Sequence, residues 1–451
     1  MFSRVLIANR GEVAVRVIRT LHDLGVEAVA IHSTADADGL HVRMADRAVC
    51  VGPPVAAESY LNIPSVIAAA TTTRCEAVHP GWGFLAERPA FVRACEDNDL
   101  VFIGPSADTM AKSGDKVQAK VEMARAGMPL IPGTEHAVEL EEARAAADEL
   151  GYPVLLKAAA GGGGRGMRLV ESAVQLEDVF RGAAAEANAA FGDESIYVEK
   201  AVVPARHIEV QVLADGQGGV LTLGERECSI QRRHQKLIEE TPSPGVSEEL
   251  REEMEAAVER ACLQLDYRNA GTFEFLLGPE GGFYFMELNA RLQVEHPVTE
   301  LVTGRDLVRD QLMIAAGERL EQVGRAPRRG HAIEVRINAE DVARDFAPAP
   351  GRIERFRAPL GPGVRVDTHV ESGTVVAPYY DSLLGKVVVW DEDRAGAIAR
   401  GIRALGELEI VGIPTTRELS IAILRGEAFG SGRYSTSFLD ESAPIAVEAP
   451  A

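Results

Sequence analysis

The sequence predicts an α/β region at the N-terminus followed by mixed α+β regions, and three observations support this fold class. Strand-like and helix-like segments alternate over the first hundred or so residues, which is typical of a parallel sheet. From roughly Ser113 to Arg325, strand-like runs separated by short turns indicate hairpins. With 451 residues, of which 46% are hydrophobic and 25% charged, the chain is long enough for two or three globular domains.

The N-terminal elements follow in order along the chain. The turn after the first strand, Asn9–Glu12, has no GxGxxG pattern, so dinucleotide binding is unsupported there. The predicted strands are Val5–Ala8, Glu27–Ile31, Glu76–Val78 and Leu100–Ile103. The predicted helices are Val13–Leu24 and Pro89 to about Asp97.

A third region begins near Arg328, after Ala326-Pro327. It carries predicted strands at Ile333–Ile337 and Lys386–Trp390 and a helix from about Arg394 to Leu405. The last dozen residues are rich in Ala, Pro and Ser and are expected to form a frayed tail.

Charge and cysteine content exclude several classes of protein. A formal net charge of -21 argues against nucleic acid as the main partner, but it does not exclude ATP, which needs only a few local cations. The five cysteines are scattered without a CxxC pair, as expected for reduced thiols. No apolar run is long enough for a membrane span or a signal peptide, so we expect a soluble, cytoplasmic protein.

Lysine is rare in this chain. Seven of the 47 Lys and Arg residues are lysines, which leaves 40 arginines. A lysine retained against this bias is a candidate for a role that needs a compact, rotatable ammonium. The alternative is a surface lysine that has remained by chance and has no specific role, and we favour this alternative for Lys112 and Lys120. The seven lysines are Lys112, Lys116, Lys120, Lys157, Lys200, Lys236 and Lys386.

A run of glycines, Gly161–Gly166 interrupted only by Arg165, lies between two strand-like segments. A P-loop would end in Gly-Lys-Ser/Thr and open a helix, so this run predicts a glycine-rich hairpin instead. Its backbone N–H groups could approach an anion closely, and Lys157 on the adjoining strand could reach a phosphate. The alternative is a flexible linker.

The strongest signal lies between Gly271 and Glu295. Alternation places Thr272 with Glu274 on one face of a strand and groups Glu287 with Asn289 on the next. In the simplest hairpin register, Glu274 lies opposite Glu287, and like charges in that position are destabilising. A bound divalent cation would remove this cost, and carboxylate and amide oxygens suit Mg²⁺. A solvated pair or a slipped register is the alternative.

Three further segments contain candidate site residues. The alternation continues past Asn289, so that Arg291, Gln293 and Glu295 share one side, which favours a small-anion site over an ordinary edge strand. Gln231–Lys236 is a dense cationic cluster that, taken alone, is typical of a solvated face. His79–Phe84 is a rigid loop that, taken alone, is typical of a packed turn.

Together these segments resemble the biotin carboxylase family, and the resemblance covers nearly the whole chain to about Leu439. The matching stretches are Ile7–Glu12, His79–Gly81, Ser113–Lys116, the glycine hairpin, Gln231–Lys236, Glu287–Thr299, Glu334–Glu340 and Tyr379–Asp381. The resemblance implies an ATP-grasp fold with a Rossmann-like pre-ATP-grasp domain (1–113), an ATP-grasp domain (114–327) with a mobile lid at about 132–203, a C-terminal biotin carboxylase domain (328–445) and a tail (446–451).

The resemblance also implies roles for individual residues. Residues expected to hold ATP are Lys116, Lys157, Gly162, Gly163, Gly164, Met167, Glu199, Lys200, His207, Gln231 and His234. Residues expected to bind Mg²⁺ or Mn²⁺ are Glu274, Glu287 and Asn289. Residues expected to surround bicarbonate are Lys236, Arg291, Gln293, Val294 and Glu295. Glu295 would be the base that deprotonates bicarbonate, and Arg336 would stabilise the enolate of biotin.

The implied activity is ATP- and bicarbonate-dependent carboxylation of biotin through carboxyphosphate. The chain lacks Met-Lys-Met, the family's biotin-attachment motif, so biotin is expected on a separate biotin carboxyl carrier protein. A carboxyltransferase subunit and a homodimer are further expected partners. The final acceptor is open between acetyl-CoA, the default, and propionyl-CoA, pyruvate or 2-oxoglutarate. Another ATP-grasp ligase or a non-catalytic nucleotide-binding subunit is the alternative, and the presence of Glu274, Glu287, Lys236 and Glu295 argues against the latter.

One position departs from the family pattern. The family usually has Tyr after His-Pro-Gly, whereas this chain has Trp82. The aromatic face is kept, the phenolic hydroxyl is lost, and the side chain is larger. If Trp82 lies beside biotin, as Arg336 is expected to, we expect a changed KM for biotin with little change in ATP binding.

Overall fold

The computed structural model of the chain describes residues 1–134, 136–158 and 166–441, and only the backbone of residues 116, 117, 190 and 191. The predicted ATP-binding glycines Gly162, Gly163 and Gly164 and the predicted tail at 446–451 therefore lie outside the described residues, as does the side chain of Lys116.

The N-terminal region is a five-stranded parallel sheet with strand order β3-β2-β1-β4-β5, which confirms the predicted α/β class. The chain reverses its direction of winding beside β1, so the loops after β1 and β4 meet at the carboxyl edge of the sheet. There Asn9 donates to the carbonyl oxygens of Pro80 (2.7 Å) and Trp82 (2.8 Å). The elements are β1 Arg4–Ile7, α1 Gly11–Asp23, β2 Glu27–Ser33, α2 Leu40–Met44, β3 Arg47–Gly52, α3 Ile63–Thr72, β4 Ala77–His79, α4 Pro89–Glu96, β5 Val101–Phe102 and α5 Ala107–Gly114.

A smaller unit follows, built on a three-stranded antiparallel sheet with order β7-β6-β8. The strands on either side of the glycine run pair with each other, which confirms the predicted hairpin at its two described ends. Two helices cover one face of this sheet and bury an apolar cluster of their own. Helix α6, Lys116–Arg125, precedes this unit and packs against α5. The elements of the unit are α7 Leu140–Leu150, β6 Val154–Ala158, β7 Met167–Val170, α8 Ala173–Phe191 and β8 Ile196–Lys200.

The site lies on a nine-stranded sheet that joins the central and C-terminal regions. Its strand order is β13-β12-β9-β10-β11-β15-β22-β20, with β14 paired to β10. The two strands predicted after Arg328 extend this same sheet. Its strands are β9 Arg206–Asp215, β10 Val220–Arg232, β11 Gln235–Thr241, β12 Arg268–Leu277, β13 Phe283–Asn289, β14 Gly324–Arg325, β15 His331–Asn338, β20 Val364–Thr368 and β22 Leu383–Asp391.

Helices and short strand pairs complete the chain. Two apolar clusters pack on the face of the large sheet opposite the site, one under α9 and the other under α12 and α13. The helices are α9 Glu248–Gln264, α10 His296–Thr303, α11 Leu307–Ala315, α12 Arg394–Glu407, α13 Arg417–Arg425, α14 Glu427–Gly430 and α15 Phe438–Glu441. The short strands are β16 Glu340–Asp341, β17 Ala347–Pro348, β18 Gly351–Arg352, β19 Arg355–Arg357, β21 Val375–Val376 and β23 Glu409–Val411.

All five cysteines are free thiols, and Cys50 alone among them is exposed. In the part of the chain that the structure describes, no helix combines the length and the apolar character needed to cross a bilayer.

Candidate active site

Two glutamates face each other across the β12–β13 hairpin. Glu274 is the cross-strand partner of Glu287, and Thr272 is the partner of Asn289, which confirms the predicted register. Glu274 is buried, and partial desolvation together with the charge of Glu274 raises the pKa of the more exposed Glu287. The hairpin therefore concentrates negative charge at one place on the sheet.

A β-bulge places Glu287 on the site face. The pairing shifts by one residue after Glu274, which leaves Met286 as an extra residue in β13. Under strict alternation, Phe283, Phe285 and Glu287 would all share one face. The bulge instead keeps the two phenylalanines in the apolar core and groups Glu287 with Asn289, whose amide donates to the Glu287 carboxylate at 3.2 Å.

Lys236 lies at the centre of the site. Its ammonium donates to Glu209 (2.6 Å), Glu274 (2.9 Å) and Glu295 (2.6 Å). Burial alone would lower the pKa of Lys236, but the surrounding carboxylates raise it well above its usual value. One buried cation thus joins three carboxylates that come from different strands and loops.

A tight turn delivers Lys236 to this position. Arg233 and His234 connect β10 to β11, and both have positive φ angles, 48° and 68°, as a two-residue hairpin turn requires. Arg233 and His234 are exposed, and Arg232 and Arg233 pair with Asp345. The predicted cationic cluster is therefore divided: its arginines face outwards, whereas Lys236 points into the site.

Arg336 on β15 holds the other side of Glu295. Its Nε donates to Glu239 (2.6 Å), and its Nη2 donates to Glu295 (2.9 Å). Burial would raise the pKa of Glu295, but Lys236 and Arg336 outweigh it and hold that pKa well below its usual value. Glu295 is therefore an ionised carboxylate fixed between two cations.

A second pair of buried glutamates supports Arg336. Glu239 on β11 is the cross-strand partner of Glu334 on β15. Burial raises the pKa of Glu239 to about 7 and that of Glu334 well above its usual value. Burial therefore disfavours a full negative charge on both members of this pair next to Glu295.

The prediction that strand alternation continues through Glu295 is wrong. Strand β13 ends at Asn289, residues 290–295 form an irregular loop, and α10 begins at His296 with Pro297 in its first turn. The loop still brings the predicted polar side chains together, because Arg291 donates to Asn289 (2.9 Å) and to Gln293 (2.8 Å).

This loop is tied to the neighbouring parts of the chain. Gln293 donates to Glu274 at 3.2 Å, and Arg291 donates to Glu87 of the N-terminal region at 2.9 Å. The carbonyl oxygen of Val294 accepts a hydrogen bond from Lys386 at 2.7 Å. Hydrogen bonds, some of them through Glu274, thus connect Lys236 with Arg291, Gln293 and Glu295, and Val294 lies between Gln293 and Glu295 in the same loop.

Lys157 and Glu199 mark the predicted phosphate side, on the small sheet. Lys157 forms an ion pair with Glu199, which also accepts from Lys120 at 2.6 Å. The two ammonium groups outweigh burial and lower the pKa of Glu199. The expectation that Lys120 is a chance surface residue is therefore wrong in one respect: its ammonium is engaged, although its side chain is half exposed.

The other residues expected to hold ATP are more dispersed. Met167 is the strand partner of Lys157, and His207 lies 2.9 Å from Glu274. Gln231 is buried and is the strand partner of Lys236, whereas His234 is exposed at the turn. Lys200 donates to the carbonyl oxygen of Gly151 at 2.7 Å and so points away from Lys157.

Trp82 lies against the apolar core of the N-terminal region, half buried. Its Nε1 donates to Glu12 at 3.3 Å, and the same carboxylate oxygen lies 3.2 Å from the ammonium of Lys386. The indole is therefore linked through Glu12 and Lys386 to the loop that contains Val294.

The donor set on this face suits a divalent cation bound through oxygen. Glu287 has a raised pKa and little positive charge nearby, and its partner Glu274 lies in a group with His207 and Glu209 whose ligand atoms are within 4.8 Å of one another. Carboxylates together with the amide of Asn289 are the ligands that Mg²⁺ or Mn²⁺ prefers.

Sequence reasoning missed several charged residues of this network. Glu209 and Glu239 are fully buried, but both lie in strands that carry other polar residues, so their sequence does not distinguish them from solvent-facing carboxylates. Glu12 and Lys386 come from opposite ends of the chain, so no local pattern links them. The residues missed are Glu12, Lys120, Glu209, Arg226, Glu239, Glu334 and Lys386.

Comparisons with known proteins agree with this architecture. The profile of the biotin carboxylase N-terminal domain matches residues 1–110, that of the carbamoyl-phosphate synthase L chain ATP-binding domain matches 115–323, and that of the biotin carboxylase C-terminal domain matches 334–441. A biotin carboxylase from Nostoc sp. is 52% identical over 442 residues, which cover 98% of this chain and 99% of the relative.

Two solved structures have the same fold. A beta-gamma-ATP complex of biotin carboxylase from Campylobacter jejuni superposes with a TM-score of 0.92 at 45% identity, covering 98% of this chain and 99% of the other. The biotin carboxylase domain dimer of 2-oxoglutarate carboxylase from Hydrogenobacter thermophilus, in complex with MgADP, ADP and bicarbonate, gives a TM-score of 0.91 at 44% identity with 100% coverage of both chains. Matches of this extent identify the family: the chain belongs to the biotin carboxylases, ATP-dependent ligases with the ATP-grasp fold.

Proposed function

We propose that this chain carboxylates biotin that is attached to a separate carrier protein, using ATP and bicarbonate. The observation that carries the proposal is the position of Glu295, an ionised buried carboxylate held between Lys236 at 2.6 Å and Arg336 at 2.9 Å. A fixed carboxylate flanked by two cations suits an anionic substrate that must lose a proton before it can react.

Glu295 is the proposed general base. In the ligand-free site its pKa is low because Lys236 and Arg336 stabilise the charge. A bicarbonate ion that takes over part of these contacts removes that stabilisation and so makes Glu295 more basic at the moment of binding. The base then accepts the bicarbonate proton, and the dianion attacks the γ-phosphorus of ATP with departure of ADP.

The surrounding residues have supporting roles in this proposal. Arg291, Gln293 and Val294 surround bicarbonate with Lys236, and Arg336 later stabilises the enolate of biotin beside Trp82. ATP is held by Lys116, Lys157, the glycines at 162–164, Met167, Glu199, Lys200, His207, Gln231 and His234. Glu274, Glu287 and Asn289 would hold Mg²⁺ or Mn²⁺, which supplies charge neutralisation for the phosphates.

We further propose that residues 132–203 act as a lid over the nucleotide. The small sheet in this segment has its own apolar core, separate from that of the nine-stranded sheet. A unit that moves as a rigid body needs such a core of its own. Closure would exclude water from carboxyphosphate, which hydrolyses readily. The domains proposed around this lid are 1–113, 114–327 and 328–445.

The proposed partners are a biotin carboxyl carrier protein, a carboxyltransferase subunit and a second copy of this chain. Acetyl-CoA is the proposed final acceptor, as the default among the carboxylases that share this component. A 2-oxoglutarate carboxylase role is the second candidate, because the biotin carboxylase domain of such an enzyme is 44% identical to this chain.

The decisive experiment is ATP hydrolysis by the purified chain with Mg²⁺, with and without bicarbonate and free biotin. Hydrolysis that requires bicarbonate and rises with biotin is the expected result. Hydrolysis that depends on neither bicarbonate nor biotin would support the assignment of the ATP site and refute the assignment of the substrates. Reconstitution with carrier and carboxyltransferase proteins, followed by assays with each acceptor, then distinguishes acetyl-CoA from 2-oxoglutarate.

A further inference from the structure

Asp345 makes a contact between the C-terminal region and the β10–β11 turn to which the proposed reaction assigns no role. Arg232, the last residue of β10, and Arg233 in the turn both donate to its carboxylate. The same turn presents His234, which is expected to hold ATP, and leads into Lys236. The contact therefore lies beside residues that are expected to bind substrates.

The turn adopts a conformation that its own side chains disfavour. Arg233 and His234 have φ angles of 48° and 68°, in the left-handed region that glycine and asparagine tolerate best. A two-residue hairpin turn of this type most often contains Asn-Gly. Because neither of those residues is present here, contacts around the turn must offset the cost of its conformation.

Arg232 anchors one side of the turn in a built pocket. Its Nη2 donates to the carbonyl oxygen of Asp345 at 2.9 Å and to the carboxylate of Asp345 at 2.5 Å. Its guanidinium carbon lies 4.2 Å from the centroid of the Phe346 ring, within cation–π distance. The Arg232 side chain is only 18% exposed, so this contact is stronger than an isolated surface ion pair.

Asp345 extends this anchor to the turn itself. Its second carboxylate oxygen accepts from Arg233 Nη2 at 3.0 Å. Asp345 and Phe346 also have positive φ angles, 53° and 59°. Four non-glycine residues in the left-handed region thus meet at one contact, and backbone strain of this kind is concentrated at functional sites.

The direction of His234 depends on the turn. Its side chain is exposed, and within the described ranges no hydrogen bond holds its ring. Its direction therefore follows from the backbone angles of the turn. Lys236 differs, because three carboxylates hold its ammonium independently of the turn. A loss of the turn conformation should thus displace His234 and leave Lys236 in place.

We propose that Asp345 is a positioning residue for the nucleotide subsite, which holds the Arg233–His234 turn in its left-handed conformation and so fixes the direction of His234. The proposal rests on the proposed function, to which ATP binding by His234 belongs. Asp345 does not touch ATP in this account; it acts through Arg232 and Arg233.

Isothermal titration calorimetry of the full chain with MgATP tests the proposal. Asp345→Asn leaves one acceptor in place of two, removes the charge, and keeps a residue that tolerates a positive φ. The dissociation constant for MgATP should rise about three- to tenfold, while the KM for bicarbonate at saturating ATP stays within about twofold of wild type. Glu354→Gln, which removes an exposed carboxylate elsewhere in the same region, should match the wild type. Wild-type MgATP affinity in Asp345→Asn, or an equal loss of affinity for ATP and bicarbonate, would overturn the proposal.

Two double variants separate the turn conformation from a direct effect of charge. In the Asp345→Asn background, Arg233→Asn supplies a residue that favours a positive φ, and Arg233→Gln removes the same charge without that preference. With folding checked by melting temperature, Arg233→Asn should restore the affinity for MgATP and Arg233→Gln should not. Equal affinities in the two double variants would sink the proposal, since both carry the same charge. If the wild-type chain binds no MgATP, the proposed function fails and this proposal with it, so the two failures are distinguishable.

Discussion

Glu274 lies directly opposite Glu287 across the β12–β13 hairpin, and among the described side chains Glu274 alone of the two forms an ion pair. Glu274 pairs with Lys236 at 2.9 Å and lies 2.9 Å from His207. Glu287 accepts from the amide of Asn289 and has a raised pKa. This asymmetry leaves an uncompensated negative charge that a divalent cation between the strands would neutralise.

We expect Glu287→Gln to separate stability from metal binding. Without Mg²⁺, removing one of two facing charges should leave the free energy of unfolding unchanged or raise it by up to about 1 kcal/mol. With Mg²⁺, the variant should lose most of the increase in melting temperature that the wild type gains. Thermal unfolding with and without Mg²⁺ measures both effects. Glu280→Gln, in the exposed turn of the same hairpin, is the control, and an equal Mg²⁺ response in all three proteins would contradict the metal assignment.

Glu295→Gln should abolish most of the bicarbonate-dependent reaction. The amide keeps the shape of the side chain but cannot accept the bicarbonate proton, so kcat is expected to fall about 10²- to 10⁴-fold. The KM for ATP should change little, because Glu295 contacts Lys236 and Arg336 and not the small sheet. Steady-state kinetics of ATP hydrolysis give both constants. Glu318→Gln, at an exposed position after α11, serves as the control, and full activity in Glu295→Gln would remove Glu295 from the role of base.

Lys120 is expected to support ATP binding indirectly. Lys157 must leave Glu199 to reach a phosphate, and Lys120 at 2.6 Å keeps Glu199 paired when it does. In Lys120→Gln, Lys157 is the remaining cation on Glu199. ATP then has to compete with Glu199 for the ammonium of Lys157, so the KM for ATP should rise severalfold. Lys112→Gln, an exposed change in the neighbouring helix, should have no effect. Equal KM values for ATP in the two variants would show that Lys120 is a surface residue after all.

The sequence predicted those parts of the site that depend on local pattern. The facing of Glu274 and Glu287 follows from two alternating strands and a short turn, which are properties of neighbouring residues. The loop at 290–295 was mistaken for strand because its alternation satisfies the same rule, although Pro297 is a helix-start signal that argues for an earlier end. The contact between Glu12 and Lys386 depends on how two sheets pack, and no short stretch of sequence contains that information.

Trp82→Tyr should change the KM for biotin and leave the KM for ATP unchanged. The indole Nε1 donates to Glu12 at 3.3 Å, and a phenol, being shorter, carries its donor at a different position. Trp82→Phe, which removes the donor and keeps an aromatic face, distinguishes loss of this hydrogen bond from loss of bulk. Kinetics with free biotin measure the effect, and identical biotin constants in all three proteins would show that the ring does not lie beside the substrate.

Acid should destabilise the fold through buried neutral histidines, and His79 is the clearest case. Its Nδ1 accepts from the N–H of Gly81 at 3.0 Å, and its Nε2 lies 3.3 Å from the side-chain oxygen of Gln311. Burial lowers the pKa of His79 to about 4, against 6.5 for an unperturbed histidine. Above about pH 6.5 the ring is neutral in both the folded and the unfolded chain, so its full contribution to stability is present there.

As the pH falls below about 6.5, the unfolded chain binds a proton at His79 before the folded chain does, so the free energy of unfolding decreases until about pH 4. The loss from this one ring is on the order of 3 kcal/mol. His79→Gln should therefore flatten the pH dependence of the unfolding free energy, whatever its effect at neutral pH, because glutamine does not titrate. Denaturant unfolding at several pH values measures the slope, and His136→Gln, at an exposed histidine, should keep the wild-type slope. Parallel curves for wild type and His79→Gln would show that His79 does not take up a proton on unfolding.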